Sequence, residues 1–190
     1  FPAHSVKDLI ALARAKPGAY NYASSITGGT THLAGELFKA MAGVNIVRIP
    51  YKGGGPALND LMGGQVQMVF ATAASVMPHI KSGRLRALAV TSRQPSVLAP
   101  GLPTIADSGV PGYEARSLYG MFAPVGTPAA IIRKLNQDSV RVLNKPDVRE
   151  RMLNTVGEGI GSSPAEFAAT LKSEMAKWGK LIKDAGIREE

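Results

Sequence analysis

The feature that most constrains this chain is an alternation. Short apolar runs end in loops of glycine and small hydroxyl residues, and each loop leads into a stretch of helical spacing. The runs are Tyr20 to Ser24, Val44 to Pro50, Val66 to Phe70 and Leu85 to Thr91, and they read as strands. Ahead of them, Ser5 with Asp8 three residues on forms a capping box for a helix carrying Leu9, Leu12 and Ala13, which Lys16-Pro17-Gly18 stops. Between the runs, a Gly28-Gly29-Thr30-Thr31 entry opens a helix with Leu33, Leu37 and Met41 on one face, closed by Gly43. Lys52-Gly53-Gly54-Gly55-Pro56 leads into a short helix with Leu58, Leu61 and Met62, and Ser75 to Lys81 reads as a helical turn. Strand and helix alternating in this way predict an α/β lobe with a mainly parallel sheet.

The pattern changes beyond residue 92. Gln94 to Pro103 reads as a linker with a turn, and Tyr113 to Ala123 as a longer extended run. Thr127-Pro128 then caps a helix bearing Ile131, Ile132, Leu135, Val142 and Leu143, Pro146 interrupts it, and Asp147 to Val156 restarts as a second helix. A last helix starts at Ser163-Pro164 and carries Phe167, Leu171, Met175, Trp178 and Leu181. Helices after Thr127 need a sheet that the chain supplies only in part, which predicts exposed apolar surface that self-association or segment exchange would cover.

Charge is distributed as unevenly as structure. Residues 1 to 100 hold 10 basic and 3 acidic side chains (Asp8, Glu36, Asp60), a net of +7, whereas residues 101 to 190 hold 12 and 11, a net of +1. A positive field of this kind gathers anions, small or polymeric. The absence of cysteine excludes disulfides, thiolate catalysis and thiolate-held metals. Nucleic acid is not expected as a partner. Arg48, Lys52, Lys81, Arg84, Arg86 and Arg93 form no dense basic run, and aromatic residues are not interleaved with them. The Lys-rich helix around Trp178 reads as a core stripe rather than a membrane anchor. The chain starts at Phe1, so it is expected to be processed or cut from something longer.

Three strand-end loops are the candidate site. Ser24 to His32 follows a strand and precedes a helix, so backbone N–H groups, hydroxyls and the positive end of the helix dipole point to one place, where a carboxylate or phosphate fits. An ordinary capped turn gives the same local pattern, and its spacing matches neither nucleotide-binding glycine motif. Tyr51-Lys52-Gly53-Gly54-Gly55-Pro56 allows close backbone approach, with Lys52 adding charge and Tyr51 able to stack or hydrogen-bond, although the motif taken alone reads more readily as a simple turn. Phe70-Ala71-Thr72-Ala73 is the third loop, and open α/β sheets bind ligands outside the carboxyl ends of their strands.

Catalytic constellations are poor. Ser24 or Ser25 with His32 is the one nucleophile and base that can be drawn, without the G-x-S-x-G elbow. Glu36 and Asp60, the carboxylates available for acid–base work, look solvent-facing. His32 reads as a structural helix-start residue, and no metal-ligand spacing is present. The competing functions are therefore a serine hydrolase on Ser24 or Ser25 with His32, and a non-specific binder of anionic polymers.

Taken in order, Tyr22-Ala23-Ser24-Ser25, Gly29 to Phe38, Pro50-Tyr51-Lys52-Gly53, Gly63-Gly64-Gln65-Val66, Pro78 to Thr91 and Leu102 to Gly109 resemble the substrate-binding receptors of tripartite tricarboxylate transporters, the Bug receptor family. The resemblance runs on through Lys177-Trp178 and Asp184 to Ile187. It implies a two-lobed α/β receptor like the type II periplasmic binding proteins, one lobe nearly complete and the other partial. Residues 1-112 would be the ligand-binding α/β lobe, and residues 113-190 the crossover strand and helices of the other. Such a receptor is exported to the periplasm, captures a small mono-, di- or tricarboxylate between its lobes, and delivers it to membrane permease subunits. No catalytic residue, cofactor or metal is implied. The loop carried over comprises Ser24, Ser25, Gly28, Gly29, Thr30, Thr31 and His32, adjoined by Tyr51, Lys52, Gly53, Ala71 and Thr72. Family members begin with a further βα portion bearing a Pro-Gly-Gly loop, which has no counterpart here. Many also carry Asp where this chain has Ala71, which shifts the expected ligand toward an acid without an ammonium group.

Overall fold

The computed structural model describes residues 1–155 and 157–188. Its elements run α1 (Val6–Ala15), β1 (Asn21–Ser24), α2 (Thr30–Ala42), β2 (Val47–Pro50), α3 (Gly54–Met62), β3 (Met68–Val69), α4 (Ala73–Lys81), α5 (Ala129–Leu143), α6 (Pro146–Thr155) and α7 (Pro164–Asp184). The predicted end of the second-half helix at Val156 lies outside the described residues.

Two compact units divide the chain: residues 1–117 with the segment from Trp178 onward, and Leu118–Lys177. In the first unit a three-stranded sheet of order β2-β1-β3 is parallel throughout. Tyr22 stands opposite Arg48 on one side and Met68 on the other. Parallel strands need crossovers, and α2 and α3 supply them. One face of the sheet packs Tyr22, Phe38, Ile46 and Tyr113 with the buried side of α1 (Val6, Leu9, Ile10, Ala13). A smaller cluster gathers Ala23, Ala57 and Val66. Trp178 packs against the first cluster, and Leu181 is buried.

Ser5 caps α1 through its hydroxyl, which accepts from the Asp8 N–H at 3.1 Å. Gly43 ends α2 at φ 61°, a conformation that costs glycine little, and Arg14 donates to the Ala42 carbonyl at 2.7 Å. The core side of α2 differs from the expected stripe. Leu33, Ala34, Phe38 and Ala42 are buried, while Met41 is exposed. The reason is that Gly35 lets Tyr22 lie flush on α2, which turns the helix about that contact: a Cβ at Gly35 would fall 2.3 Å from Tyr22 Cε2.

Two expected strands are absent among the described residues. Leu85 to Thr91 forms only an isolated bridge, Val90 with Thr104, where Val90 donates to the Pro103 carbonyl and accepts from the Ile105 N–H. Its partner is thus a turn-rich segment that cannot extend a ladder. Tyr113 to Ala123 is not a strand either. Within the first unit it makes one backbone bond to a distant segment, from Ala115 N–H to Thr91 O, and extended chain becomes strand only where a neighbour supplies a ladder. The second unit holds α5, α6 and most of α7. Phe122 stacks at a tilt on Phe167, Asn136 bonds the Ser162 carbonyl, and Ser163 with Glu166 makes a reciprocal cap for α7.

Candidate functional site

Because the three strands are parallel, Ser24, Pro50 and Val69 all end at the same edge of the sheet, with β1 in the middle. The three predicted loops therefore open at one edge, and the Tyr51 N–H donates to the Ser24 carbonyl at 2.9 Å to join the first two.

The Ser24 to His32 loop is internally braced. The Ser25 N–H donates to Thr31 Oγ1 at 2.8 Å, the two hydroxyls lie 2.9 Å apart, and Gly29 N–H closes a turn onto Ile26 O. Leu33 N–H is the first of α2 to find an acceptor within the helix, at Gly29 O. The amides of Thr30, Thr31 and His32 precede it and have no intrahelical partner. Gly29, the N-cap, has no side chain to offer them. This is the arrangement that accepts an anion: donors in a row, at the positive end of a 13-residue helix.

His32 holds the loop from beneath. It is buried, and its Nδ1 accepts from the Gly28 N–H at 3.0 Å, which leaves the ring proton on Nε2, facing Glu36 Oε1 at 4.0 Å. Burial lowers its pKa first, and the Arg48 charge lowers it further, against the opposing pull of Glu36. The ring is thus neutral near pH 7, as a bond-accepting nitrogen requires. Glu36 is not the solvent-facing residue its helical position suggested. Its carboxylate accepts from the Tyr22 hydroxyl at 2.6 Å and from Lys39 at 2.8 Å, and its side chain is 12% exposed. Spacing alone missed this because Glu36 follows Gly35, the point where α2 meets Tyr22. Burial and Glu36 together raise the Tyr22 hydroxyl's pKa, keeping it a donor.

Neither ring nitrogen of His32 bonds a serine. Ser24 is buried, with its Oγ donating to Ser25 O and accepting from Arg48, and Ser25 is engaged with Thr31. The drawn nucleophile and base are therefore not hydrogen-bonded to each other.

The other loops contribute less than their residue types suggested. The Tyr51 hydroxyl turns back to donate to Asp60 at 2.8 Å, so Asp60 too is engaged rather than simply solvated. Lys52 is exposed. Thr72 precedes α4, its hydroxyl paired with Ser75, and Ala71 beside it carries no polar group. Two surface grooves elsewhere, one along Asp8 and Leu12 and one along Lys39 and Leu181, include none of the loop residues. Among the described residues no cluster of His, Asp and Glu could hold a metal, and no helix is long and apolar enough to cross a membrane.

Residue-type reasoning passed over Arg48. Its Nε donates to Ser24 Oγ at 2.7 Å, one Nη to Ser25 O at 3.0 Å and the other to Thr27 Oγ1 at 3.2 Å. The signal was present: a guanidinium inside the apolar run Val44 to Pro50, in a strand flanked by another, must find partners on its own face.

A parallel α/β lobe whose strand-end loops present helix-start amides over a charged base can hold a small anion at that edge. Comparison with known proteins shows the family. Residues 1–187 match the tripartite tricarboxylate transporter family receptor, TctC, and the chain belongs to that family. It is 37% identical over 178 residues to the UPF0065 protein in the tcbD-tcbE intergenic region of Pseudomonas sp. (strain P51), covering 93% of this chain and 53% of that protein. It is 34% identical over 184 residues to Protein BugT of Bordetella pertussis, covering 97% and 56%. Among solved structures, R. palustris Rpa4515 with adipate superimposes with a TM-score of 0.85 at 39% identity, covering 98% of this chain and 62% of that one. The chain thus spans about half the length of these curated relatives, and its fold is that of a partial two-lobed receptor.

Proposed function

We propose that the protein containing this chain is a periplasmic receptor that captures a small organic carboxylate between two lobes and passes it to the membrane subunits of a tripartite tricarboxylate-type transporter. Residues 1 to about 112 supply most of one lobe, and the remainder belongs largely to the other. The carboxylate sits at the start of α2, taking the amides of Thr30 and Thr31 and the hydroxyls of Ser25, Thr30 and Thr31, with Gly28 and Gly29 giving close approach. Ser24 and His32 act from below, by holding Arg48 and the Gly28 amide. Tyr51, Lys52, Gly53, Ala71 and Thr72 form the flanks, with Lys52 supplying field.

The observation that carries this reading is the row of helix-start amides at the shared edge of three parallel strands. The similar structure that holds adipate, a dicarboxylate, supports the ligand class. The surplus of +7 in residues 1 to 100 supports an anion, since their three carboxylates are engaged with Tyr22 and Lys39, with Tyr51, and at the start of α1. Ala71, apolar beside the site, leaves no partner there for a ligand ammonium. Calorimetry of the full-length receptor against mono-, di- and tricarboxylates tests the reading. Saturable binding of at least one acid is expected, and no heat with any acid of the panel overturns it.

A further inference from the structure

We infer that Arg48 is the positioning residue of the carboxylate loop: from β2 it fixes the backbone and hydroxyls of Ser24, Ser25 and Thr27 so that the α2 amides face the ligand, without contacting the ligand itself. This rests on the carboxylate reading above.

Three observations place it there. Arg48 stands in register with Tyr22, so its side chain leaves β2 on the α2 side of the sheet, directly under the loop. Each of the three guanidinium nitrogens makes a bond within the loop, to Ser24 Oγ, Ser25 O and Thr27 Oγ1. Those acceptors come from two side chains and one carbonyl within four consecutive residues, a geometry that a planar fork can satisfy and an ammonium cannot. Two of the three partners, Ser25 and Ser24, are tied onward to the ligand face. Ser25 binds Thr31 by both its amide and its hydroxyl, and Ser24 O receives the Tyr51 N–H of the second loop. Displacing the guanidinium would leave the Ser25 carbonyl held only by the Ser24 hydroxyl, itself freed from Arg48, and so loosen the Ser25–Thr31 brace at the first turn of α2.

The charge has a second consequence. A guanidinium held behind the amides adds positive potential where a carboxylate arrives, and it is half-buried, so salt screens it less than it screens the exposed Lys52. Glu36, Lys39, Tyr22 and His32 share this space. Glu36 is already shared between Tyr22 and Lys39, so it does not neutralise Arg48 by contact.

The test uses the full-length receptor carrying Arg48→Gln, Arg48→Lys, Thr27→Ala or the surface control Arg84→Gln, the last removing a charge at an exposed site. Two readouts are taken: hydrogen exchange of the Ser25 and Gly28 amides without added ligand, and calorimetric affinity for adipate and malate. Loss of charge-assisted bonds should speed amide exchange by tenfold or more and weaken binding by about tenfold to a hundredfold in Arg48→Gln. Arg48→Lys should keep the charge yet recover little of either, and Thr27→Ala should give a smaller loss of both. Arg84→Gln should leave both near the parent value. Full recovery by Arg48→Lys would show that charge alone matters and overturn the positioning role, as would unchanged exchange and affinity in Arg48→Gln. Where Arg48→Gln does not fold, Thr27→Ala decides alone, and unchanged exchange in it overturns the inference. Faster exchange in Arg48→Gln, with no heat from any acid of the mono-, di- and tricarboxylate panel in the parent protein, would instead leave Arg48 holding the loop and overturn the carboxylate reading on which its positioning role depends.

Discussion

Helices α2 and α5 are similar in length, 13 and 15 residues, and both are amphipathic, yet they fare differently. In the first unit α2 buries His32, Leu33, Ala34, Gly35, Phe38 and Ala42. In the second, α5 buries no residue, and Ile131, Leu135 and Val142 stand 44–49% exposed. The difference lies in what each helix has beside it. A parallel sheet supplies α2 with Tyr22 and Phe70 to pack against, while α5 has α6, α7 and connecting chain. An apolar stripe announces a helix, but the energy of that helix comes from the layer it meets.

The sharpest way to break this comparison is to delete side chains from both helices. Phe38, 1% exposed, should cost about 3–5 kcal/mol when changed to alanine, while Leu135→Ala, 44% exposed, should cost less than about 1 kcal/mol. Urea denaturation of residues 1–190 measures both, and equal losses would mean that α5 is covered as fully as α2.

Adding a methyl group sharpens the same contrast. Gly35→Ala places a Cβ against Tyr22, which is fully buried and tethered to Glu36, and should destabilise by about 1–3 kcal/mol despite the better helix propensity of alanine. Gly120→Ala meets Phe167 as closely, but that ring is half-buried and can swing, so its cost should stay under about 1 kcal/mol.

The acid response should belong to the first unit. His32 has its pKa lowered on folding, so between its folded value and the unfolded value of about 6.5 the unfolded chain binds the extra proton. Stability should be flat above that range, fall as pH drops below about 6.5, and become flatter in His32→Asn. Thermal melts across pH 5 to 8 read this directly. The smallest effect should not distinguish the units at all. Ser5→Ala removes a cap of about 1 kcal/mol, and Ser163→Ala should give a loss of comparable size, because a cap is satisfied within its own turn.

Much of the first unit was legible because its signals are local. The strand–loop–helix alternation located β1, β2 and the helices that follow, and the shared parallel direction placed the three loops on one edge. Strand limits were less legible. Val44 and Ile46 are apolar and buried like strand residues, but the Val44 N–H is held by the Lys39 carbonyl at the end of α2, so the strand begins at Val47. Leu85 to Thr91 failed for the converse reason: its pattern is right, and its neighbour at Thr104 lies in turns.

Within the site, hydroxyls and glycines marked the loop, but spacing could not say which of them face outward. Ser24 looked like a ligand group and is buried on Arg48; Glu36 looked solvated and anchors Tyr22. The first depends on register between strands, 24 residues apart, and the second on how α2 packs against β1, 14 residues away, and neither is fixed by a local pattern.

The most direct test of the account follows backbone amide resonances of the full-length receptor while adipate is added. The account predicts that Thr30, Thr31 and His32 show the largest shifts in this chain, saturating together at the calorimetric affinity. Saturating shifts that leave the start of α2 unmoved, with the ligand held elsewhere, would contradict it.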